Sequence, residues 1–170
     1  MTQSSAGEDA LWYFAYGSNL DPRTFLGRRR MRPLESRIGV LRGYALCFDL
    51  AIGKGERGVA NLLPEPSGET WGALYHITRT QFEWLDRTEG VPQGAYRRIP
   101  VEVHQPDGSR QPAHTYLSDH RRPDRKPSRR YLGLLLAGAR HHLLPEPYLA
   151  RLRSIELAVD EREAAQGELF

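Results

Sequence analysis

A chain of 170 residues with 39% hydrophobic content and a formal charge of +3 can bury one sizeable core, and no internal repeat or long linker divides it. Its single cysteine, Cys47, excludes an intrachain disulfide and a structural cysteine–zinc cluster, and its longest near-apolar run, residues 132–139, is too short to span a bilayer. The first ten residues lack the basic start and apolar stretch of a secretory signal, so the expected location is the cytoplasm, away from any membrane.

Residues 1–11 read as a disordered N-terminal segment, 12–156 as the folded domain and 157–170 as a charged tail that frays. Residues 12–16 form an aromatic strand, and Asp21-Pro22 then places an N-cap and a first-turn proline at the head of a short helix running to Arg29. The stretches 44–50, 58–64 and 70–77 read as consecutive strands joined by Gly/Pro/Glu/Ser loops, with Cys47 as a core residue. Thr78 and Gln81 make a capping box for a helix in which Phe82 and Leu85 share a face and which ends near Glu89-Gly90. Ile99, Val101 and Val103 alternate with polar residues as in a half-buried strand, which pairs with 113–117 across the turn at 106–110. The last third is helical, from residue 128 and again from 146, with Pro147 near the second start. Trp12, Tyr44, Phe48, Trp71 and Trp84 are expected to fill core or pocket walls.

Only Lys54 and Lys126 are lysines, against 22 arginines, a bias that coding composition explains more simply than function. The runs at 27–32, 119–126 and 128–130 could contact phosphates, but acidic residues are scattered nearly as densely and no nucleic-acid motif frames them. They read as solvated faces, and no nucleic-acid partner is expected.

The first chemical feature is the break of the aromatic strand into Gly17-Ser18-Asn19. Glycine permits a positive φ and close backbone approach, so successive N–H groups there can converge on a carboxylate or a developing oxyanion, with the nearby helix start reinforcing the polarity. The plainer alternative is a tight turn whose Ser18 and Asn19 side chains bond their own backbone. The second feature is Glu89, held at a helix end by the following Gly90, Pro92 and Gly94. Taken alone, such a glutamate is most often a solvated charge.

Together the segments resemble something specific. YGSNL at 16–20 after an aromatic strand, WGALYHI at 71–77, LDRTEGVPQGAYRR at 85–98, TYL at 115–117 and PSRRYLGLLLAGARHHLLP at 127–145 are similar to the gamma-glutamylcyclotransferase family over nearly the whole chain. The resemblance implies an α+β domain built on a mixed, partly closed β-barrel with helices around it. It implies a small-molecule γ-glutamyl substrate whose α-amine attacks its own γ-carbonyl, an acyl transfer that releases 5-oxoproline and a free amine, and it is compatible with a homodimer. Glu89 falls at the family's catalytic acid/base. Tyr16, Gly17, Ser18, Asn19 and Leu20 match its substrate-binding loop, and Tyr96, Tyr116 and Tyr131 fall where it has pocket tyrosines. Relatives specific for glutathione usually lose the asparagine of the first motif; its retention as Asn19 favours the other branch.

The chemistry is coherent with these residue types. Ring closure needs the amine beside the carbonyl carbon, and one carboxylate near both nitrogens can move the proton between them. No step requires an electron sink or a Lewis acid, so no cofactor is implied. The six histidines, 76, 104, 114, 120, 141 and 142, show no ligand spacing, and no metal site is expected. Ser18 as a nucleophile lacks the second flanking glycine of a nucleophile elbow and an assignable His-Asp pair. A non-catalytic module of the same fold, holding a small anionic or peptide-like ligand, is the alternative function, and it would not require a carboxylate at position 89.

Overall fold

The computed structural model describes residues 9–159. In β1 (Ala10–Ala15) successive side chains face opposite ways, so Phe14 joins a cluster with Leu62, Leu74 and Val103, whereas Tyr13 and Ala15 join a second with Phe25, Phe82 and Leu85. One short strand thereby seals two layers of core. β2 (Glu35–Ala51) and β3 (Gly58–Thr78) form a long antiparallel pair, and β3 also pairs with β1 in the register Phe14↔Leu74. β4 (Arg97–His104) and β5 (Arg110–Leu117) make the expected hairpin; β4 meets β2 at Val40↔His104, and β5 runs parallel to β1 at Tyr13↔His114. The sheet closes in the order β1-β3-β2-β4-β5. The mixed barrel implied by the resemblance is therefore present, and it is closed.

One α-helix lies between β3 and β4 and two follow β5. Thr78 caps α1 (Arg79–Thr88) by accepting the Gln81 N–H at 3.1 Å, but the Gln81 side chain turns to the Arg32 backbone instead of completing the capping box. α2 (Arg129–His141) is capped by Ser128, which accepts the Tyr131 N–H at 3.1 Å, and α3 (Glu146–Arg153) carries Pro147 in its first turn. Among the described residues no helix is long and apolar enough to cross a membrane.

Several expectations are corrected. Residues 58–64 and 70–77 belong to one strand, because β2 pairs with both halves: Tyr44 faces Pro64 and Arg42 faces Glu69, with the register shift between them absorbing the exposed Pro-Glu-Pro-Ser-Gly stretch as a bulge. The segment after Pro22 is a short π-helix, Arg23–Arg28; Asp21 opens it through its carbonyl, which accepts the Thr24 and Phe25 N–H groups at 2.9 Å, and its side chain caps no backbone group. Cys47 is only half-buried, and Trp84 is 49% exposed on α1. β1 starts at Ala10, ahead of the expected boundary, and Ala158 is fully buried with its N–H on the Pro127 carbonyl, beyond the expected one. The expected disordered start and charged tail otherwise lie outside the described residues.

α2 packs on the turn that follows β1 through Gly138, where a Cβ would come within 2.4 Å of the Leu20 carbonyl carbon. Backbone against backbone leaves nothing to yield, so Gly138→Ala should destabilise the fold by about 1–3 kcal/mol. Gly133, in the same helix with nothing within 4 Å of such a Cβ, should show the opposite sign, Gly133→Ala stabilising by about 0.5–1 kcal/mol. Thermal or denaturant unfolding of the two variants checks the pair, and equal behaviour would contradict the packing.

Candidate active site

β1 runs into a tight turn of one 3-10 segment, Ser18–Leu20, closed by Leu20 N–H on the Gly17 carbonyl and Asp21 N–H on the Ser18 carbonyl, both at 3.0 Å. Its carbonyls are held from behind. The Tyr75 hydroxyl donates to the Asn19 carbonyl at 3.0 Å, and His142 Nε2 lies 3.1 Å from the Leu20 carbonyl. A carbonyl only accepts, so His142 carries its proton on Nε2, and the Tyr75 oxygen 2.9 Å away is a second acceptor for it. Burial lowers the pKa of His142, which keeps the imidazole neutral in this role.

Gly17 does not take the left-handed conformation expected for it, its φ being −114°. Glycine is needed there for space: a Cβ would stand 3.1 Å from the Tyr131 hydroxyl and 3.2 Å from the Ala60 Cβ, in the wall of a cavity. At the other side of that cavity Glu89 terminates α1, its N–H on the Leu85 carbonyl at 2.9 Å. Gly90 follows with φ +71°, the left-handed step that ends many helices, and a Cβ there would also meet Ala95 at 2.9 Å. The helix end thus fixes where Glu89 sits, as the sequence led us to expect.

Asn19 joins the two sides. Buried at 4% exposure, it accepts from Arg29 Nε at 2.8 Å through Oδ1 and donates through Nδ2 to Glu89 Oε1 at 3.0 Å and to the Tyr13 hydroxyl at 2.9 Å. A flipped amide would set N–H against the guanidinium, so this orientation is dictated by Arg29. Arg29 also approaches Glu89 Oε1 at 3.6 Å. Both contacts fall on Oε1, and among the described residues Oε2 has no hydrogen-bond or ion-pair partner. The neighbourhood sets the acidity of Glu89: burial raises its pKa above the ordinary carboxylate value, while Arg29 and the Asn19 bond pull it back down.

The cavity has a volume of about 260 Å³, and Tyr16, Gly17, Ser18, Asn19, Glu89, Tyr96, Tyr116 and Tyr131 all line it. Leu20 is the exception. Its side chain is 1% exposed and packs in the second core cluster, so it supports the turn without reaching the cavity. The sequence reading missed Tyr13, Arg29, Val59, Ala60 and Thr88, which complete the lining. Among the described residues no three His, Cys, Asp or Glu side chains are grouped to hold a metal ion.

The hydroxyl protons of three tyrosines are already directed. Tyr16 donates to the Tyr116 carbonyl at 2.6 Å, Tyr96 to the Ala60 carbonyl at 2.5 Å and Tyr116 to Asp86 Oδ1 at 2.6 Å, with Asp86 itself clamped by Arg98. Tyr131 instead accepts the Ala60 N–H at 3.1 Å, and Tyr13 accepts from Asn19, so these two keep a proton to give. Burial raises the pKa of every one of these phenols, that of Tyr131 to about 12, so all stay protonated at neutral pH. Glu89 is the one carboxyl among these lining residues, with a pKa that burial raises above the ordinary carboxylate value.

A closed mixed barrel carrying one polar, tyrosine-walled cavity has counterparts among known proteins. Residues 69–152 match the model of the AIG2-like family. The chain is 30% identical over 153 residues to the human protein Gamma-glutamylcyclotransferase, covering 88% of this chain and 80% of that one. It is 31% identical to Putative gamma-glutamylcyclotransferase YkqA of Bacillus subtilis across 84% of its own length, which spans 51% of that relative. A solved structure named Gamma-glutamyl cyclotransferase superposes with a TM-score of 0.78 at 28% identity, covering 88% of this chain and 89% of the other. The chain belongs to the gamma-glutamylcyclotransferase family of enzymes.

Because the guanidinium opposes the effect of burial, Arg29→Gln should move the Glu89 carboxyl titration to still higher pH. Site-resolved carboxyl NMR of the two proteins measures the midpoint directly. An unmoved midpoint would remove Arg29 from the electrostatics of the cavity.

Proposed function

We propose that the cavity binds the γ-glutamyl group of a γ-glutamyl amide and cyclises it, releasing 5-oxoproline and an amine, with Glu89 as general acid/base. The observation that carries this reading is the proton inventory of the cavity: five buried phenols with raised pKa values surround one carboxylate whose Oε2 is unengaged.

The α-ammonium of the substrate is matched by Glu89. It must lose one proton before its lone pair can attack the γ-carbonyl carbon, and a second as the ring nitrogen becomes an amide. The departing nitrogen gains one proton as its bond to carbon breaks and another on reaching its ammonium form in water, so the protons balance. A carboxylate beside both nitrogens passes the proton from the attacking to the leaving one and is regenerated unchanged. Confinement in a small cavity supplies the folded substrate geometry that a five-membered closure needs.

Anionic oxygens of the substrate belong at the opposite wall. There the Tyr131 hydroxyl, adjacent to Ser18 and Gly17, keeps a proton to donate, and the Gly17–Asn19 turn presents its backbone. Tyr96 and Tyr116, whose protons are directed elsewhere, offer oxygen lone pairs and suit the ammonium side. Asn19 acts on Glu89 as a positioning residue.

Glu89→Gln preserves the size of the side chain and removes its basicity. It should lower 5-oxoproline release by about 10²–10⁴ while leaving the fold and γ-glutamyl ligand affinity largely intact. Product release, ligand affinity and thermal unfolding are measured on the same purified variant. A folded variant that binds and still cyclises at the parent rate would exclude Glu89 as the proton carrier and favour a non-catalytic binding module.

A further inference from the structure

A second cleft, of about 200 Å³, adjoins the γ-glutamyl cavity, with Val59 and Tyr131 lining both. Its charged lining is of one sign: Arg28, Arg57 and Arg130, with no acidic side chain among the residues that line it. Arg28 ends the short π-helix, Arg57 precedes β3 and Arg130 stands in the first turn of α2. Three separate elements thus bring guanidinium groups to one mouth. Among the described residues Arg28 and Arg130 form no ion pair, and the first turn of α2 contains no acidic residue. A cation in that turn is opposed by the helix dipole, so the charges of Arg28 and Arg130 are not neutralised there.

We propose that this cleft is the subsite for the leaving amine and that it selects an amine bearing more than one negative charge, such as an acidic amino acid. The inference rests on the reading of the first cavity as the γ-glutamyl site. With the scissile nitrogen within reach of Glu89 and the carbonyl oxygen turned toward Tyr131, the departing half is directed past Val59 into the arginine-lined cleft. The α-carboxylate of an amino-acid leaving group meets one guanidinium, and a side-chain carboxylate meets another. Leu134 and Ile52 give the cleft an apolar base for the methylene carbons between the two charges. A neutral or cationic amine leaves Arg28 and Arg130 without a counterion.

γ-Glutamyl-glutamate and γ-glutamyl-glutamine differ in one side-chain charge at nearly equal size, which isolates the effect. For the wild-type protein kcat/KM for the acidic dipeptide should exceed that for the amide by about two- to fivefold at low ionic strength, with the ratio shrinking as salt is added. Arg130→Gln and Arg28→Gln should each move that ratio toward one. The same comparison is made by calorimetric affinity on the Glu89→Gln protein, which separates recognition from turnover. An affinity preference for the acidic dipeptide that falls with either arginine supports the subsite even where 5-oxoproline release fails, an outcome that would count against the cyclisation alone. Equal affinities for the two dipeptides, or a preference that both arginine variants retain in full, would overturn the subsite.

Discussion

The site is organised around one buried amide. Asn19 sits on a turn that hangs from β1, Glu89 ends α1 and Arg29 follows the short π-helix; the Asn19 side chain hydrogen-bonds to both of the other two, which also pair with each other at 3.6 Å. Its two ends have opposite partners: a cation holds the oxygen, a carboxylate and a phenol hold the nitrogen. Loss of that amide would remove one hydrogen bond from each of Tyr13, Glu89 and Arg29, leaving Glu89 and Arg29 to their mutual ion pair and the buried Tyr13 hydroxyl without its donor. The packing behind the turn serves this geometry. Gly138, Tyr75 and His142 fix the backbone of residues 19 and 20, so the Asn19 side chain emerges in one direction.

The tyrosines have a physical logic beyond their bulk. A cavity that confines a zwitterionic group needs hydrogen-bonding surface without further titrating groups, and a buried phenol gives that, since desolvation keeps it neutral while its oxygen stays polar. Directing the protons of Tyr16, Tyr96 and Tyr116 into backbone carbonyls and Asp86 makes their oxygens acceptors, whereas Tyr131 and Tyr13 remain donors. The walls therefore offer both acceptor and donor hydroxyls without adding a second titrating carboxyl.

Much of this was legible from residue patterns. The helix starts at Thr78 and Ser128, the β4–β5 hairpin and the position of Glu89 at a helix end follow from local rules, and all but one of the expected site residues line one cavity. What escaped depends on tertiary placement. Tyr13 alternates with Phe14 and looks like core; it is core, but its hydroxyl surfaces in the cavity. Arg28, Arg29 and Arg30 are alike in sequence, and the winding of the π-helix sends the first to the neighbouring cleft, the second to Glu89 and leaves the third exposed at φ 57°. Leu20 belongs to the motif by position, yet the 3-10 turn rotates its side chain into the core. The Pro-Glu-Pro-Ser-Gly stretch reads as a loop because nothing local reveals that β2 pairs on both sides of it.

The carboxylate held by Asn19 and Arg29 is proposed as the base of the reaction, ionised when it acts. Burial raises its pKa above the ordinary carboxylate value, and a base is lost as pH falls through its own pKa. The most direct measurement is the pH dependence of kcat/KM for 5-oxoproline release by the wild-type enzyme, set beside the titration of the Glu89 carboxyl in the free protein. The account predicts an acidic limb above the ordinary glutamate range whose midpoint coincides with that titration. A limb at an ordinary carboxylate value, or one that does not follow Glu89, would contradict it.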